Sequence, residues 1–469
     1  MFVRALTVAV FWMCLLLSAA GKPNIIVVLI DDMGWGDFSC FGNKEAKTPN
    51  IDRLAAEGMK FTQFYVSAPI CSPSRCGLLT GQYPQRWSIT SFLNNRADNK
   101  RRGVADWLDV KAPTLARILK SGGYATGHFG KWHLGGQRDV DDAPAITAYG
   151  FDESLTNFEG MGPKLLPLTL KPGDAKPGRI WEGAERLGKP VTWMQRSQIT
   201  GGYVAAAVKF IDGAGDKPFY INLWPDDVHS PFWPPVDEWR EGRRAKYLAV
   251  LVAMDRQLAV LFDHIRNKPS LRDNTIIIVC SDNGPEPGAG SSGPLRGAKG
   301  SLFEGGVRSP LIVWALGLME KGSIGKTNET AVLAATDLTP SLLSLAGVSA
   351  PEGVVFDGGN VAATLLGKSP APRAAPIYWR RPPDRKSMPA VSKEPMPDLA
   401  VRDGEWKLLC DYDGSRPLLY KMPADSGEAN NLTAKEPETV ARLTKAVRAW
   451  HESMPPDRGP QLGMKPESE

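Results

Sequence analysis

Histidine is scarce in this chain, with five among 469 residues, so each one can be weighed by itself. Other scarcities narrow the function classes. No dense Lys/Arg tract occurs beyond Lys100-Arg101-Arg102, and a net charge of +5 is mild for this length. The electrostatic footprint of a nucleic-acid binder is therefore missing, while a mild positive balance suits an anionic substrate. After the first twenty residues no apolar run is long enough to cross a bilayer, and no internal repeat is present. Cysteine is also sparse. Setting aside Cys14 leaves Cys40, Cys71, Cys76, Cys280 and Cys410. That odd number leaves at least one of them outside any disulfide within the chain.

At the start, Arg4 precedes an almost wholly apolar stretch from Ala5 to Leu17, and Ser18-Ala19-Ala20 follows. This pattern predicts a signal peptide over residues 1–20. It implies an exported protein, periplasmic or secreted in a bacterium, lysosomal or secretory in a eukaryote, with no membrane span after cleavage. The chain as a whole has an ordinary globular composition, 42% hydrophobic and 23% charged, with ample length for a large core.

Continuous apolar runs at Asn24 to Ile30, Pro218 to Trp224 and Asn274 to Cys280 read as strands buried on both faces. Tyr124 to Phe129 and Leu311 to Trp314 add two more. Helical patterns at 51–57, 114–120, 203–211, 245–265 and 338–345 alternate with them. The expected fold is α/β: a large mixed, mostly parallel sheet sandwiched by helices. From Asp139 to about Ile199 the periodicity fails, and long rim loops are expected. Composition shifts near Pro370. Short strands at 377–379, 399–402, 406–409 and 417–420, then a helix from Pro437 to Ser453, predict a small C-terminal α+β subdomain with an antiparallel sheet. The expected division is 1–20 signal peptide, 21–370 catalytic domain and 371–469 C-terminal subdomain.

The chemistry gathers at strand ends. Asp31-Asp32 and Asp282-Asn283 follow two buried strands and should emerge at one sheet edge, where open α/β folds bind ligands. Each Asp alone is as readily a turn residue. Crowded carboxylates need a hard cation, and an all-oxygen set favours calcium or magnesium over zinc. Lys131 and His133 follow the second strand, His229 the third, and Lys299 lies in the loop after the fourth. His128, inside a strand, reads as packing. Cys71-Ser72-Pro73-Ser74-Arg75 opens a helix, placing Cys71 where N–H groups and the dipole favour an anion or a thiolate. The alternative there is a structural Cys in a tight turn. A cation with Arg75, two Lys and two His suits a multiply charged oxyanion, hence sulfuryl or phosphoryl transfer.

In that ordered combination the chain resembles the type I, formylglycine-dependent sulfatases of the alkaline-phosphatase superfamily. The marks are Asp31 to Asp37, Cys71-Ser72-Pro73-Ser74-Arg75, Leu79-Thr80-Gly81, Gly130-Lys131-Trp132-His133-Leu134-Gly135 and His229-Ser230-Pro231. They continue through Ser281-Asp282-Asn283-Gly284 and Lys299-Gly300 to Glu304-Gly305-Gly306, then Trp406-Lys407-Leu408, Leu419-Tyr420 and Asn431-Leu432. Cys76 departs from many relatives, which carry Ala there.

The resemblance implies that a maturation enzyme oxidises Cys71 to formylglycine (3-oxoalanine). One hydroxyl of the aldehyde hydrate would attack sulfur, and the other would then expel sulfate. It further implies a calcium ion, with magnesium as the alternative, held by Asp31, Asp32, Asp282, Asn283 and residue 71. Asp282 could also take the nucleophile's proton. Arg75 and Lys131 would orient residue 71, His133 would assist removal of the second proton, and Lys131, His229 and Lys299 would bind sulfate. Either His229 or Lys299 would be the general acid. Trp132, Trp224, Phe232 and Trp233 flank these positions and either stack on a sugar or pack in the core. Asp226 and Asp227 either bind sugar hydroxyls or cap a turn. The expected substrate is a sulfated carbohydrate or an aryl sulfate. A formylglycine-dependent phosphoesterase or phosphonate monoester hydrolase is the alternative.

Overall fold

A computed structural model describes residues 21–369 and 373–456 of the chain. The expected signal peptide, the composition break at residue 370 and most of the tail after Met454 lie outside those residues.

β1 (Asn24–Ile30) is buried at every position. Ile25, Val27 and Leu29 enter one hydrophobic core, and Ile26, Val28 and Ile30 enter another. That is the signature of a strand with helices on both faces. The helices 71–80, 115–121 and 335–345 feed the first core, and those at 49–57, 199–213 and 243–267 the second. The other strands of this sheet are β2 (Met59–Tyr65), β3 (Ala125–Gly130) and β4 (Glu153–Leu155). After three strands of a separate sheet, β5 (Lys164–Thr169), β6 (Gly178–Arg179) and β7 (Val191–Gln195), come β8 (Phe219–Trp224), β9 (Thr275–Ser281), β10 (Arg308–Trp314), β11 (Thr327–Asn328) and β12 (Leu333–Ala334).

The large sheet runs β11-β2-β10-β9-β1-β8-β3-β4, with β12 also on β2. The block β9-β1-β8-β3-β4 is parallel, while β10 is antiparallel to both its neighbours. β2 has no counterpart among the expected strands. Its run Met59-Lys60-Phe61-Thr62-Gln63 alternates apolar and polar residues, and the polar ones find partners only in the fold. The Gln63 amide, for example, donates to the Glu329 carbonyl at 2.6 Å.

The segment 139–199 also departs from expectation. It carries the three-stranded sheet β6-β5-β7. These strands are short and Pro167 interrupts β5, so no periodicity betrays them.

The C-terminal strands β13 (Ile377–Arg380), β14 (Leu399–Asp403), β15 (Trp406–Cys410) and β16 (Leu418–Lys421) form the expected antiparallel sheet. Val401, Leu408 and Leu419 pack on Leu443, Val447 and Trp450 of the helix Pro437–Ser453. Trp379, Ala400 and Leu409 join the main core instead. The Trp379 indole donates to the Val66 carbonyl at 2.7 Å. Cys40, Cys71, Cys76, Cys280 and Cys410 are all free thiols, and no described helix is long and apolar enough to cross a membrane.

Candidate active site

Register places the acids. β1 and β9 pair in parallel up to Ile30 beside Ser281, so Asp31-Asp32 and Asp282-Asn283 leave the sheet together. The Asp31 N–H donates to the Pro225 carbonyl beyond β8 at 3.1 Å, and the Lys131 N–H to the Trp224 carbonyl at 2.9 Å. Four strand ends thus converge. The loop carrying Lys299 is drawn in by a backbone contact: Gly284 N–H donates to the Gly306 carbonyl at 3.0 Å. A Cβ at Gly284 would collide with the Gly305 carbonyl oxygen.

Cys71 is the first residue of the helix Cys71–Thr80, and Gly81 closes that helix in the left-handed conformation at φ 67°. The ligand atoms of Asp31, Asp32 and Cys71 all lie within 4.8 Å of one another. Burial pushes the Cys71 thiol up to about 12, against the pull of Lys131 and Lys299. The helix N-terminus therefore does not deliver a thiolate here, contrary to one of the sequence expectations.

The Arg75 guanidinium is fully buried. It donates to Asp282 Oδ2 at 2.8 and 3.0 Å, to Asp31 Oδ1 at 3.0 Å and to the Lys131 carbonyl at 2.8 Å. It clamps the acids and does not reach toward open space. The ammonium of Lys131 donates to Asp31 Oδ2 at 2.7 Å, and that of Lys299 to Asp32 Oδ2 at 2.6 Å. Burial opposes ionisation of Asp31, yet Lys131 and Arg75 outweigh it and hold the carboxyl well below its usual range. Asp282 goes the other way: burial and the adjacent Asp31 push it up to about 8, with Arg75 restraining it.

The imbalance tests the fit of a cation. Arg75, Lys131, Lys299 and Arg243 face Asp31, Asp32, Asp282, Glu159 and Glu286, so carboxyls exceed cations, and the upward shift of Asp282 marks a cluster that ionises fully only with further positive charge beside it. Asn283 Nδ2 donates to Asp32 Oδ1 at 2.8 Å, but its Oδ1 is buried without a partner. An orphaned amide oxygen beside surplus carboxylates is the donor set of a hard cation. The residues fit calcium or magnesium.

The two histidines differ in state. His133 Nε2 lies 3.0 Å from the Leu93 carbonyl and 3.2 Å from Glu159 Oε1. A carbonyl only accepts, so Nε2 carries the proton and Nδ1, which has no partner, is left as the acceptor. Burial and the Lys131 charge hold this imidazole well below its ordinary value, so it is neutral. In His229, Nδ1 contacts the Ser230 carbonyl at 2.7 Å and Nε2 lies 3.5 Å from Asp32 Oδ2. Burial and Lys131 lower it to about 4. Asp32 and His133 both hold positive φ, 59° and 56°, a strained conformation for residues with side chains.

A cavity of about 500 Å³ opens over this floor, lined by Cys71, Lys131, His133, His229 and Lys299. Its walls add residues the sequence did not mark. Glu159 comes from the aperiodic segment. Glu286 sits four residues beyond Asp282 and was the one within reach of sequence reasoning. Arg385 and Met388 arrive from beyond residue 370, and no local pattern ties them to the site. Trp132 corrects an expectation. It is 0% exposed, packed on His128, Tyr149 and Trp224, and has no face to offer a sugar. Trp224 is equally buried. Asp226 and Asp227 are buried too. Asp226 accepts from Arg196 Nη1 and from Asn157, both at 2.8 Å, so neither acid lines the cavity.

The match to known proteins agrees with this geometry. The Sulfatase family model fits residues 23–348, and the chain belongs to the sulfatase family. It is a sulfuric ester hydrolase of the alkaline-phosphatase superfamily. Human arylsulfatase A is 30% identical over 92% of this chain and 83% of its own length. The N-acetylgalactosamine-6-O-sulfatase of Bacteroides thetaiotaomicron is 28% identical over 91% and 93%. Among solved structures, Ps i-CgsB superposes with a TM-score of 0.77 at 26% identity, covering 94% of this chain and 95% of that one. It has also been solved with k-i-k-neocarrahexaose.

Proposed function

We propose that the protein hydrolyses sulfate esters of carbohydrates, with residue 71 as the nucleophile after oxidation to formylglycine and with calcium bound by Asp31, Asp32, Asp282, Asn283 and residue 71. The observation that carries this reading is the position of Cys71: it lies on the cavity floor, among cations that can hold a sulfate, directly above surplus carboxylates that can hold a divalent ion. Relatives named for sulfated galactosamine and a neighbour solved with a carrageenan oligosaccharide support a glycan substrate.

When present, the aldehyde hydrate supplies one hydroxyl to attack sulfur and another to release sulfate, and the ion supplies positive charge beside them. The remaining work falls to side chains already in place. The ammoniums of Lys131 and Lys299 bind sulfate oxygens and neutralise charge that builds on them. Neutral His133 accepts a proton at Nδ1, since Nε2 is committed to the Leu93 carbonyl. The proton for the departing alcohol comes from the Lys299 ammonium or from the imidazolium of His229; neutral His229 keeps its proton at Nδ1 on the Ser230 carbonyl and has only a lone pair at Nε2. Its side chain is 27% exposed where those of Lys131 and His133 are 2% and 5%, so it faces the open side from which an alcohol leaves. Arg75 keeps Asp31 and Asp282 aligned. The test is release of inorganic sulfate from a panel of sulfated sugars, run beside the matched phosphates. Preference for the phosphates would reassign the chain to phosphoester chemistry.

A further inference from the structure

A second cavity, of about 660 Å³, lies beside the first, and the two share Arg138, Phe158 and Trp181 as lining. Its size is that of a small-molecule site. It is built by the aperiodic segment. Phe158 and Trp181 stack at 3.9 Å between ring centroids, and Phe158 rests on a small core of Leu166, Ala184 and Leu187. Behind Trp181 stands the guanidinium of buried Arg196, 5.6 Å from its ring. The aromatic pair is thereby held firmly, half-buried, at the border of both cavities.

Two exposed arginines border it. Arg138 is exposed, and no hydrogen bond or ion pair among the described residues engages its guanidinium. It holds a left-handed backbone at φ 49°, as does Trp181 at 61°. Arg186 meets only Asp141, at 3.8 Å between two exposed side chains, and the Gly183 carbonyl at 3.0 Å. Such an exposed pair is weak and readily exchanged. The one carboxylate in the lining, Asp139, accepts the Arg96 backbone N–H at 2.9 Å. Arginine forks free to turn toward a cavity match carboxylate and sulfate oxygens two at a time.

We propose that this second cavity binds the sugar next to the sulfated one, and that it takes an anionic ring, a uronate or a second sulfated sugar. The apolar face of that ring packs against the Phe158–Trp181 pair and its anion pairs with Arg138 and Arg186. The assignment rests on reading the first cavity as the sulfate-ester site. It adds that the protein reads a polyanionic chain beyond the ester it cleaves.

Binding tests this separately from catalysis. Titration calorimetry is done on Cys71→Ala protein in calcium buffer, so that nothing is consumed. One arm compares N-acetylgalactosamine 6-sulfate with the same sugar extended by one glucuronate ring. The other compares a sulfated galactose with the same sugar extended by one sulfated galactose ring. The expected result is at least tenfold tighter binding of the extended member in one arm, and loss of that gain when Trp181→Ala or the pair Arg138→Ala/Arg186→Ala is added. The arm showing the gain tells whether carboxylate or sulfate is read. Equal affinity within both arms, no measurable binding of either extended sugar, or a gain that survives both changes would overturn the proposal. Should Trp181→Ala fail to fold, the exposed arginine pair carries the comparison alone. A wild-type protein that binds the extended sugar but releases no sulfate would sink the proposed activity and leave this subsite standing.

Discussion

Two of the buried charge clusters among the described residues invite comparison, one at the sheet edge and one where the large sheet meets the C-terminal sheet. At the second, the Lys407 ammonium of β15 lies 2.9 Å from Glu304 and 3.0 Å from Glu428, all with 0% exposed side chains. Glu304 also accepts from the Tyr65 hydroxyl at 2.9 Å and from Arg308 at 3.2 Å, and its own N–H donates to Glu428 at 2.7 Å. Two carboxyls meet Lys407 and Arg308, with Arg402 close enough to lower Glu304, so no excess of acid is left for an ion to offset. At the sheet edge carboxylates outnumber cations, the Asn283 Oδ1 is orphaned, and a cavity lies above. The closed cluster fastens two sheets. The open one is completed only by something that is not protein. Burial of charge is common to both, and Glu428 Oε1 and two Arg402 nitrogens lack hydrogen bonds at the second as well; the excess of carboxyls and the open cavity are what mark the site of chemistry.

Breaking the open cluster should cost activity with little stability. Cys71→Ala is expected to reduce sulfate release by at least about a thousandfold, with an unchanged far-UV spectrum and a melting temperature close to that of the parent. Removing the cation comes next. A chelator should abolish turnover and lower the melting temperature, and calcium should restore both. An ion bound only by the folded state contributes about 2.7 kcal/mol at a hundred times its Kd.

Breaking the closed cluster should reverse the pattern. Lys407→Met leaves Glu304 and Glu428 buried without their ammonium, a loss of about 3–5 kcal/mol in denaturant unfolding, while protein still folded keeps its KM. A finer probe is pH. Burial, opposed by Lys407 and aided by Glu304, raises Glu428 from its ordinary 4.5 to about 7. The folded state therefore holds this proton more tightly than the unfolded one. Its stabilising effect is full below about 4.5 and fades as pH rises through 7. Glu304, lowered to about 2 by Lys407 and Arg308 against burial, loses its contribution only below 4.5. Glu428→Gln should thus gain in melting temperature relative to wild type as pH climbs from 4.5 to 7. The smallest effect belongs to an exposed pair such as Arg448 with Glu452, where Glu452→Ala should shift stability by less than about 0.5 kcal/mol.

The open cluster was more legible in the sequence than the closed one, for a physical reason. Asp31, Asp32, Asp282 and Asn283 stand directly after continuous apolar strands, and parallel pairing sends such ends to one edge. The partnership of Glu304 with Lys407 spans 103 positions and leaves no local trace. The same holds for Arg385 and Met388 in the cavity wall. Glu159, Phe158 and Trp181 escaped because the irregular segment that carries them has no period to read. Trp132 misled for the opposite reason: adjacency to Lys131 and His133 placed it near the site in sequence, but its side chain turns into the core.

The central claim, that residue 71 acts as an aldehyde above a bound cation, is tested most directly by weighing the peptide that contains it. Protein is made with and without a formylglycine-generating enzyme, the fraction of residue 71 converted from thiol to aldehyde is measured by mass spectrometry, and sulfate release is measured on the same samples. Activity should rise in proportion to that fraction and vanish where the thiol is intact. Full turnover by protein whose Cys71 is wholly unmodified would contradict it.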